Sequence, residues 1–310
     1  MIVKIGTRGS KLSLVQTDYV INMLRKIERR LRFQKVVIKT AGDAFRQRPA
    51  YSFTTRGIFE KEINLAVIEG RVDFAVHSLK DLLSEERDEL SVAAIPKRES
   101  PNDVLISKDG EIFYELKENS VVGTSSIRRM IQVKFHRPDL KVVQLRGNVE
   151  TRISRVINGE LDAVILAEAG VRRLGLQNKI SERLPLDVFT PVPGQGAIAV
   201  VARKDRTEMS NLLSRIDHRK SRNECVLERV IASKLSGGCQ APMGVIAHET
   251  NDGLSVYSAL YSTDGRRKIA YSTKGKSSNV LDIAKRLSGK LFEIGASEVI
   301  DEWRKTKISW

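Results

Sequence analysis

The chain has 310 residues, 41% of them hydrophobic, which suits two or three domains with ordinary cores and excludes a disordered chain. With 53 Lys and Arg against 38 Asp and Glu, the net charge of +15 calls for an anionic partner. Nucleic acid is the default reading of such a charge. Against it, aromatics at 5% leave few stacking platforms, and no helix-turn-helix, zinc-finger or RNA-recognition signature is present.

In chain order, "MIVKIGTRGS" lacks the features of a secretory signal, and no apolar run reaches the roughly 18 residues that span a bilayer. A cytoplasmic protein without a membrane partner is expected. "IVKI" reads as a strand running into "GTRGS", and Ser10 as the N-cap of a helix whose apolar face is Leu12, Val15, Tyr19, Met23 and Ile27. "KVVIKT" (35–40) is the next strand, followed by a polar, mobile loop at 41–57. A helix over 58–70 places Phe59, Ile63, Ala66 and Val67 together and ends at Gly70, and "VDFAV" (72–76) is a strand that empties into "HSLKD". The grammar then repeats: "SVVGTSS" (120–126), a helix, "LKVVQL" (140–145), a helix over 149–159, and "LDAVILAEAG" (161–170) as strand into turn. "EGRVDFAVHS" matches "NGELDAVILA", and "GTRGS" matches "GTSSI", so two α/β units of related design with mainly parallel sheets are expected. Crossings between them fall near "PKRESPNDV" (96–104) and "TPVPGQGAIAVVARK" (190–204). From about Asn223 come a helix, a turn at Cys239, three strands and a final helix over 279–296, a small α+β part.

Ligands of open α/β sheets collect beyond the carboxyl ends of the strands. Those ends are rich in arginine: Arg8, Arg128, Arg129, Arg146, Arg152, Arg172 and Arg173. An arginine fork grips a carboxylate or phosphate bidentately at about 1.5–3 kcal/mol per charge-assisted bond. "HSLKD" supplies the only carboxylate that the pattern places among these arginines, Asp81, with Lys80 as a companion charge. Asp81 could steady a developing cation or steer a proton, or simply cap a helix. His77 reads as a hydrogen-bonded structural histidine. Two cysteines make no disulfide framework, and no set of four ligands surrounds either, so no metal site is expected. Cys239 sits in "SKLSGGCQAPMG", where two glycines let a large group approach the backbone and neighbouring lysines and arginines favour a thiolate. Inert and reactive thiol both remain open on these grounds.

Taken together, "GTRGSKLSLVQ", "GIFEKE", "AVHSLKD", "GTSSIRR", "LRGNVETRI", "LAEAGVRRLGL", "PGQGA" and "LSGGCQAPMG" resemble, in order and spacing, the hydroxymethylbilane synthase (porphobilinogen deaminase) family from about residue 3 to beyond 250. The resemblance implies an enzyme that joins four porphobilinogen molecules head to tail, releases ammonia at each step, and hydrolyses off the linear tetrapyrrole. It implies a dipyrromethane cofactor held by a thioether to Cys239, and a charge-stabilising role for Asp81. Cofactor contacts would come from Lys80, Asp81, Ser126, Arg128, Arg129, Arg146 and Gly147, and substrate contacts from Arg8, Ser10, Arg146, Arg152 and Arg173. The implied protein is a monomer that passes its product to uroporphyrinogen-III synthase. A solute-binding or effector-sensing module of the same fold is the rival reading.

The implied fold is two type II periplasmic-binding-protein-like α/β domains, with the active cleft between them, plus a smaller C-terminal α+β domain. The expected boundaries are 1–98 with 193–216, then 99–192, then 217–310. Departures from the family pattern are Arg56 and Ser52 in the loop, where lysine or another basic residue is common, "LLSEE" after "HSLKD", and Val201 for a common Glu. None touches Asp81, Cys239 or the matched arginines.

Overall fold

Six residues, Ile2–Thr7, form strand β1 with Val3 and Ile5 buried, and Ser10 then caps helix α1 (Lys11–Ile27) by accepting from the Ser13 amide. The structure, a computed structural model, describes residues 2–40, 60–82, 88–236 and 242–306. The loop expected at 41–57, with Ser52 and Arg56, and the turn carrying Cys239 lie outside the described residues. No described helix is long and apolar enough to cross a membrane.

The chain divides into two compact units, 1–99 with 196–222, and 100–195 with 223–310. The first holds β1, α1, β2 (Arg32–Val37), α2 (Lys61–Ile68), β3 (Phe74–Ser78), β4 (Leu90–Ala94), β10 (Ile198–Arg203) and α6 (Thr207–Ser214). Its sheet runs β2-β1-β3-β10-β4, with β1 parallel to β2 and β3, and β10 antiparallel to both its neighbours. Val3, Ile5, Val20, Leu24, Phe74, Ile198 and Val200 make its core.

The buried side of α1 is not the apolar stripe expected from the sequence. Gln16, Thr17, Val20, Ile21 and Leu24 are buried, whereas Tyr19 is exposed. Hydrogen bonds explain the rotation. Thr17 bonds the Ser13 carbonyl and the Thr7 hydroxyl at 2.8 Å each, and Gln16 exchanges bonds with Ser78, so polar residues enter the interior fully partnered. Strand β2 begins three residues earlier than expected. It is an edge strand, where exposed Arg32, Gln34 and Lys35 carry no burial penalty.

The second unit repeats the plan. Strands β5 (Asp103–Ser107), β6 (Val121–Thr124), β7 (Lys141–Gln144), β8 (Ala163–Ala167) and β9 (Glu182–Arg183) lie in the order β7-β6-β8-β5-β9. Again the first three are parallel, and the strand that opens the unit, β5, is antiparallel to its neighbours. Helices α3 (Ile127–His136), α4 (Val149–Ile157) and α5 (Glu168–Arg173) follow β6, β7 and β8. The expected turn after β8 is therefore a short helix.

The same unit carries α7 (Arg219–Ser236, from Asn223 onward), the antiparallel sheet of β11 (Met243–Thr250), β12 (Gly253–Tyr261) and β13 (Lys268–Gly275), and helices α8 (Val280–Glu293) and α9 (Ala296–Lys305). The helix expected over 279–296 is α8, and a further helix not expected from the sequence, α9, follows Gly295 and buries Trp303, whose Nε1 donates to the Tyr261 carbonyl at 2.7 Å. One hydrophobic cluster joins Met130 and Ile131 of α3 to Leu227, Ile231, Val256, Leu260, Ile269 and Leu287. The C-terminal part thus packs on α3 through a shared core.

Strand β11 enters this unit against residue 190. A Cβ at Gly244 would stand 2.4 Å from the Thr190 Cβ and 2.5 Å from its carbonyl oxygen, while the Val245 amide donates to Pro191 at 2.9 Å. Gly244→Ala should cost about 1–3 kcal/mol, since backbone on one side cannot yield. Denaturant melts followed by circular dichroism would check this; unchanged stability would mean that the 190–191 segment moves freely.

Candidate functional site

In the first unit, parallel pairing of β1 with β3 brings the segments after both strands to one sheet edge. After β1 stand Arg8, half-buried, and Ser10, whose hydroxyl caps α1 and lies 2.8 Å from that of Ser13. After β3 a single 3-10 turn, Leu79–Asp81, turns the chain; its Leu79 is buried and bonds the Ala197 carbonyl. That anchor leaves Lys80 half-buried and Asp81 exposed. His77 is buried, with Nε2 3.1 Å from Asn64 Oδ1. Burial, and then the Arg8 charge, lower its pKa from 6.5 to about 4, so the imidazole is neutral near pH 7 and is structural, as expected.

The second unit holds the other arginines, with Arg128, Arg129, Arg146 and Arg152 placed near helix starts. Ser126 caps α3 by accepting from the Arg129 amide. Asn148 caps α4 by accepting from the Thr151 amide at 2.8 Å. Between β7 and α4, Arg146 is half-buried and Gly147 adopts φ +107°, where a side chain would be strained and would also strike Thr151. The Gly147 carbonyl accepts from Arg152 Nε at 2.8 Å, and Arg152 Nη1 donates to Ser125 Oγ at 2.8 Å. Burial, and then the nearby Arg129 charge, lower the Arg152 pKa to about 10. Two helix N-termini, Arg146, Arg152 and the Arg129 charge thus concentrate positive potential, the environment that an anion relieves. Arg173 ends α5, half-buried, while the adjacent Arg172 pairs with Glu168.

Arg128 and Arg129 are placed differently from the other arginines. Both are nearly fully buried, and both reach Asp103: Arg128 Nη2 to Oδ2 at 2.8 Å, Arg129 Nη2 to Oδ1 at 2.7 Å. Burial alone would push the Asp103 carboxyl up, but the charges and hydrogen bonds of the two guanidiniums hold it well below the usual carboxylate range. Arg128 Nη1 also donates to Gln132 and to the Thr190 carbonyl, and Arg129 Nη1 to the Ile165 carbonyl. Asp103 overturns the expectation that Asp81 is the only carboxylate among the arginines. That expectation rested on parallel strands. Because β5 is antiparallel to β8, its first residue sits opposite Ala167, at the end where the parallel strands finish. The available signal was an aspartate opening an otherwise wholly apolar run, "DVLI", whose residues are all buried.

A ligand rich in carboxylates fits this donor set. Among the described residues, the buried Nε atoms of Arg128 and Arg129 and Nε2 of Gln144 have no acceptor. Such donors carry a desolvation cost of about 1–3 kcal/mol each that acceptor oxygens would remove.

Comparison with known proteins agrees. The family model described as "Porphobilinogen deaminase, dipyromethane cofactor binding domain" matches residues 3–211, and "Porphobilinogen deaminase, C-terminal domain" matches residues 222–293. The chain is 42% identical over 287 residues to the probable porphobilinogen deaminase of Methanothermobacter thermautotrophicus, covering 92% of this chain and 98% of that one. It is 38% identical to the porphobilinogen deaminase of Pelotomaculum thermopropionicum, covering 98% and 97%. Among solved structures, the periplasmic VFT2 domain of Bordetella pertussis BvgS shares 18% identity over 69% of this chain and 86% of its own, at a TM-score of 0.40, too slight to carry an argument.

The buried neutral imidazole of His77 sets a pH dependence. Its folded pKa of about 4 lies below the 6.5 of an unfolded histidine, so its contribution is complete above pH 6.5 and is lost as pH falls toward 4. That linkage amounts to about 3 kcal/mol. Urea melts at pH 7 and pH 4 should show wild type losing about that much more than His77→Gln; equal losses would place the imidazole in a solvated setting.

Proposed function

The chain belongs to the porphobilinogen deaminase family, and from that premise we propose how its residues divide the work. The activity is that of hydroxymethylbilane synthase, a transferase of tetrapyrrole biosynthesis: four porphobilinogen molecules join head to tail with loss of ammonia, and the linear tetrapyrrole is then released by hydrolysis. The cofactor is dipyrromethane, which when bound supplies the primer that is lengthened.

Cys239 holds the dipyrromethane through a thioether. Lys80, Asp81, Ser126, Arg128, Arg129, Arg146 and Gly147 form its surroundings, and Arg8, Ser10, Arg146, Arg152 and Arg173 receive the carboxylates of incoming substrate. Each pyrrole ring bears an acetate and a propionate, so carboxylates accumulate as the chain grows. Arginine suits this task because it stays charged near pH 7 even where burial lowers its pKa, as at Arg152, and so binds anions without donating protons to them. Asp81 does the opposite work. Its carboxylate stabilises the positive charge that develops on the pyrrole nitrogen as ammonia leaves and the next bond forms. Arg56 takes the place of the usual loop lysine.

The observation that carries this division is the setting of Arg152. Among the described residues its guanidinium bonds a hydroxyl and a carbonyl, no carboxylate, while another buried arginine charge presses on it. We also assign the chain three domains (1–98 with 193–216, 99–192 and 217–310), a monomeric state in the cytoplasm, and hand-over of its product to uroporphyrinogen-III synthase.

Intact mass spectrometry of the purified protein should show an excess equal to two linked pyrrole units, lost on Cys239→Ser. Asp81→Asn should keep that excess while kcat falls by about 10²–10³-fold. An unmodified mass without porphobilinogen consumption would sink the assignment of Cys239; near wild-type turnover in Asp81→Asn would remove the role given to Asp81.

A further inference from the structure

We propose that Asp103, with Gln195, is a positioning residue for the reaction: its carboxylate assigns the two adjacent arginines of α3 to different tasks and aims Arg129 at the carboxylates of the dipyrromethane, beside which the substrate must dock. The proposal rests on the reading that Arg129 and Arg152 serve carboxylate binding.

Neighbouring residues of a helix point about 100° apart, so Arg128 and Arg129 leave α3 in different directions. Both nevertheless end on Asp103, one on each oxygen. Their other contacts diverge. Arg128 turns to Gln132, the Thr190 carbonyl and the neighbourhood of Tyr261, the side on which the C-terminal part packs. Arg129 turns to the Ile165 carbonyl and toward Arg152, whose protonation it disfavours. Arg128 is thereby held as part of the frame, and Arg129 faces the anion-binding edge.

Gln195 closes the arrangement. It is fully buried, donates through Nε2 to Asp103 Oδ1 at 2.8 Å and to the Pro101 carbonyl at 2.7 Å, and accepts from Arg129 Nη2 at 3.4 Å. One neutral amide thus spans the carboxylate and the arginine that it orients. With Asp103 ionised, the three charged groups sum to +1. Without its charge, two buried guanidiniums would face each other with no anion between them, and repulsion would turn Arg129 away from its present partners.

Asp103→Asn preserves shape and removes the charge. Measured on folded protein well below its melting transition, its KM for porphobilinogen should rise about tenfold or more, with kcat changing less. Tenfold is what one weakened charge-assisted contact is worth. Intact mass should also show a smaller fraction of chains loaded with dipyrromethane. Gln195→Met, which alters no charge, should raise KM about threefold and decides the matter if Asp103→Asn does not accumulate as folded protein. Arg129→Ala separates two kinds of failure. If KM rises tenfold in Arg129→Ala but stays within twofold of wild type, with full loading, in Asp103→Asn and Gln195→Met, the role of Asp103 is overturned and carboxylate binding by Arg129 stands. If Arg129→Ala also leaves KM and loading unchanged, the carboxylate reading falls and the proposal falls with it.

Discussion

Two guanidiniums from consecutive residues cannot be buried side by side without an anion between them, and Asp103 is that anion. Removing three charges from water costs several kcal/mol per ion, recovered only when hydrogen bonds satisfy nearly every lone pair and proton. Here Gln132, Gln195 and the carbonyls of Thr190 and Ile165 supply part of that, and the Nε of each arginine is left without an acceptor among the described residues. Those contacts fix α3 on both sides. Its first turn, capped by Ser126, stays at the sheet edge beside Arg152, and its body carries Met130 and Ile131 into the core shared with β12, β13 and α8. Phe135 meets the Tyr261 ring at 5.3 Å on the same side.

The two α/β sheets share one strand order, so their differences can be compared at matched positions. In each, an antiparallel strand opens with a residue facing the last residue of a parallel strand: Ile198 opposite Ser78 in the first, Asp103 opposite Ala167 in the second. An apolar residue at that position leaves the first edge without a buried counter-ion, and the edge instead carries Asp81 exposed on a short turn. A carboxylate there lets the second edge hold two arginines in its interior and more around its rim. One backbone plan thus supports an edge with an exposed aspartate near Arg8 and Lys80 and an edge with a buried aspartate paired to two arginines.

What was legible in the sequence follows from how local the determining interactions are. Ser10 announced α1 because capping involves only three residues, and the strands rich in valine and isoleucine announced themselves by composition. The buried side of α1 was not legible, because Gln16 and Thr17 enter the interior on bonds to Ser78 and Thr7, partners that only tertiary structure brings near. The helix over 279–296 was legible, and the short α9 that follows the left-handed Gly295 was not. At the site, the strand-end arginines were readable as a class, and their division was not. Whether an arginine faces a ligand or an internal aspartate depends on the direction of β5, which neither spacing nor composition records.

The anchoring of the second unit bears on what a tethered, lengthening chain requires. Helix α7 ends with Ile231 and Leu235 in the core, and β11 begins with Met243 and Val245 in the same core. The buried Glu228 carboxylate accepts from the amides of Gly194 at 2.7 Å and Ala247 at 2.9 Å, tying α7 both to the crossing segment and to β11. The described residues on either side of 237–241 therefore belong to the core of the unit that holds Arg146, Arg152 and Arg173. Under the proposed attachment at Cys239, the chain would grow at its far end while its near end stayed in place, so each added ring would bring its carboxylates to a new distance from the attachment. A single cluster of donors could serve only one length. Under the same proposal, the arginines distributed after β7, along α4 and at the end of α5 would offer receptors at several positions within one unit. The proposed role of the cysteine is then that of a tether, with no chemical duties of its own.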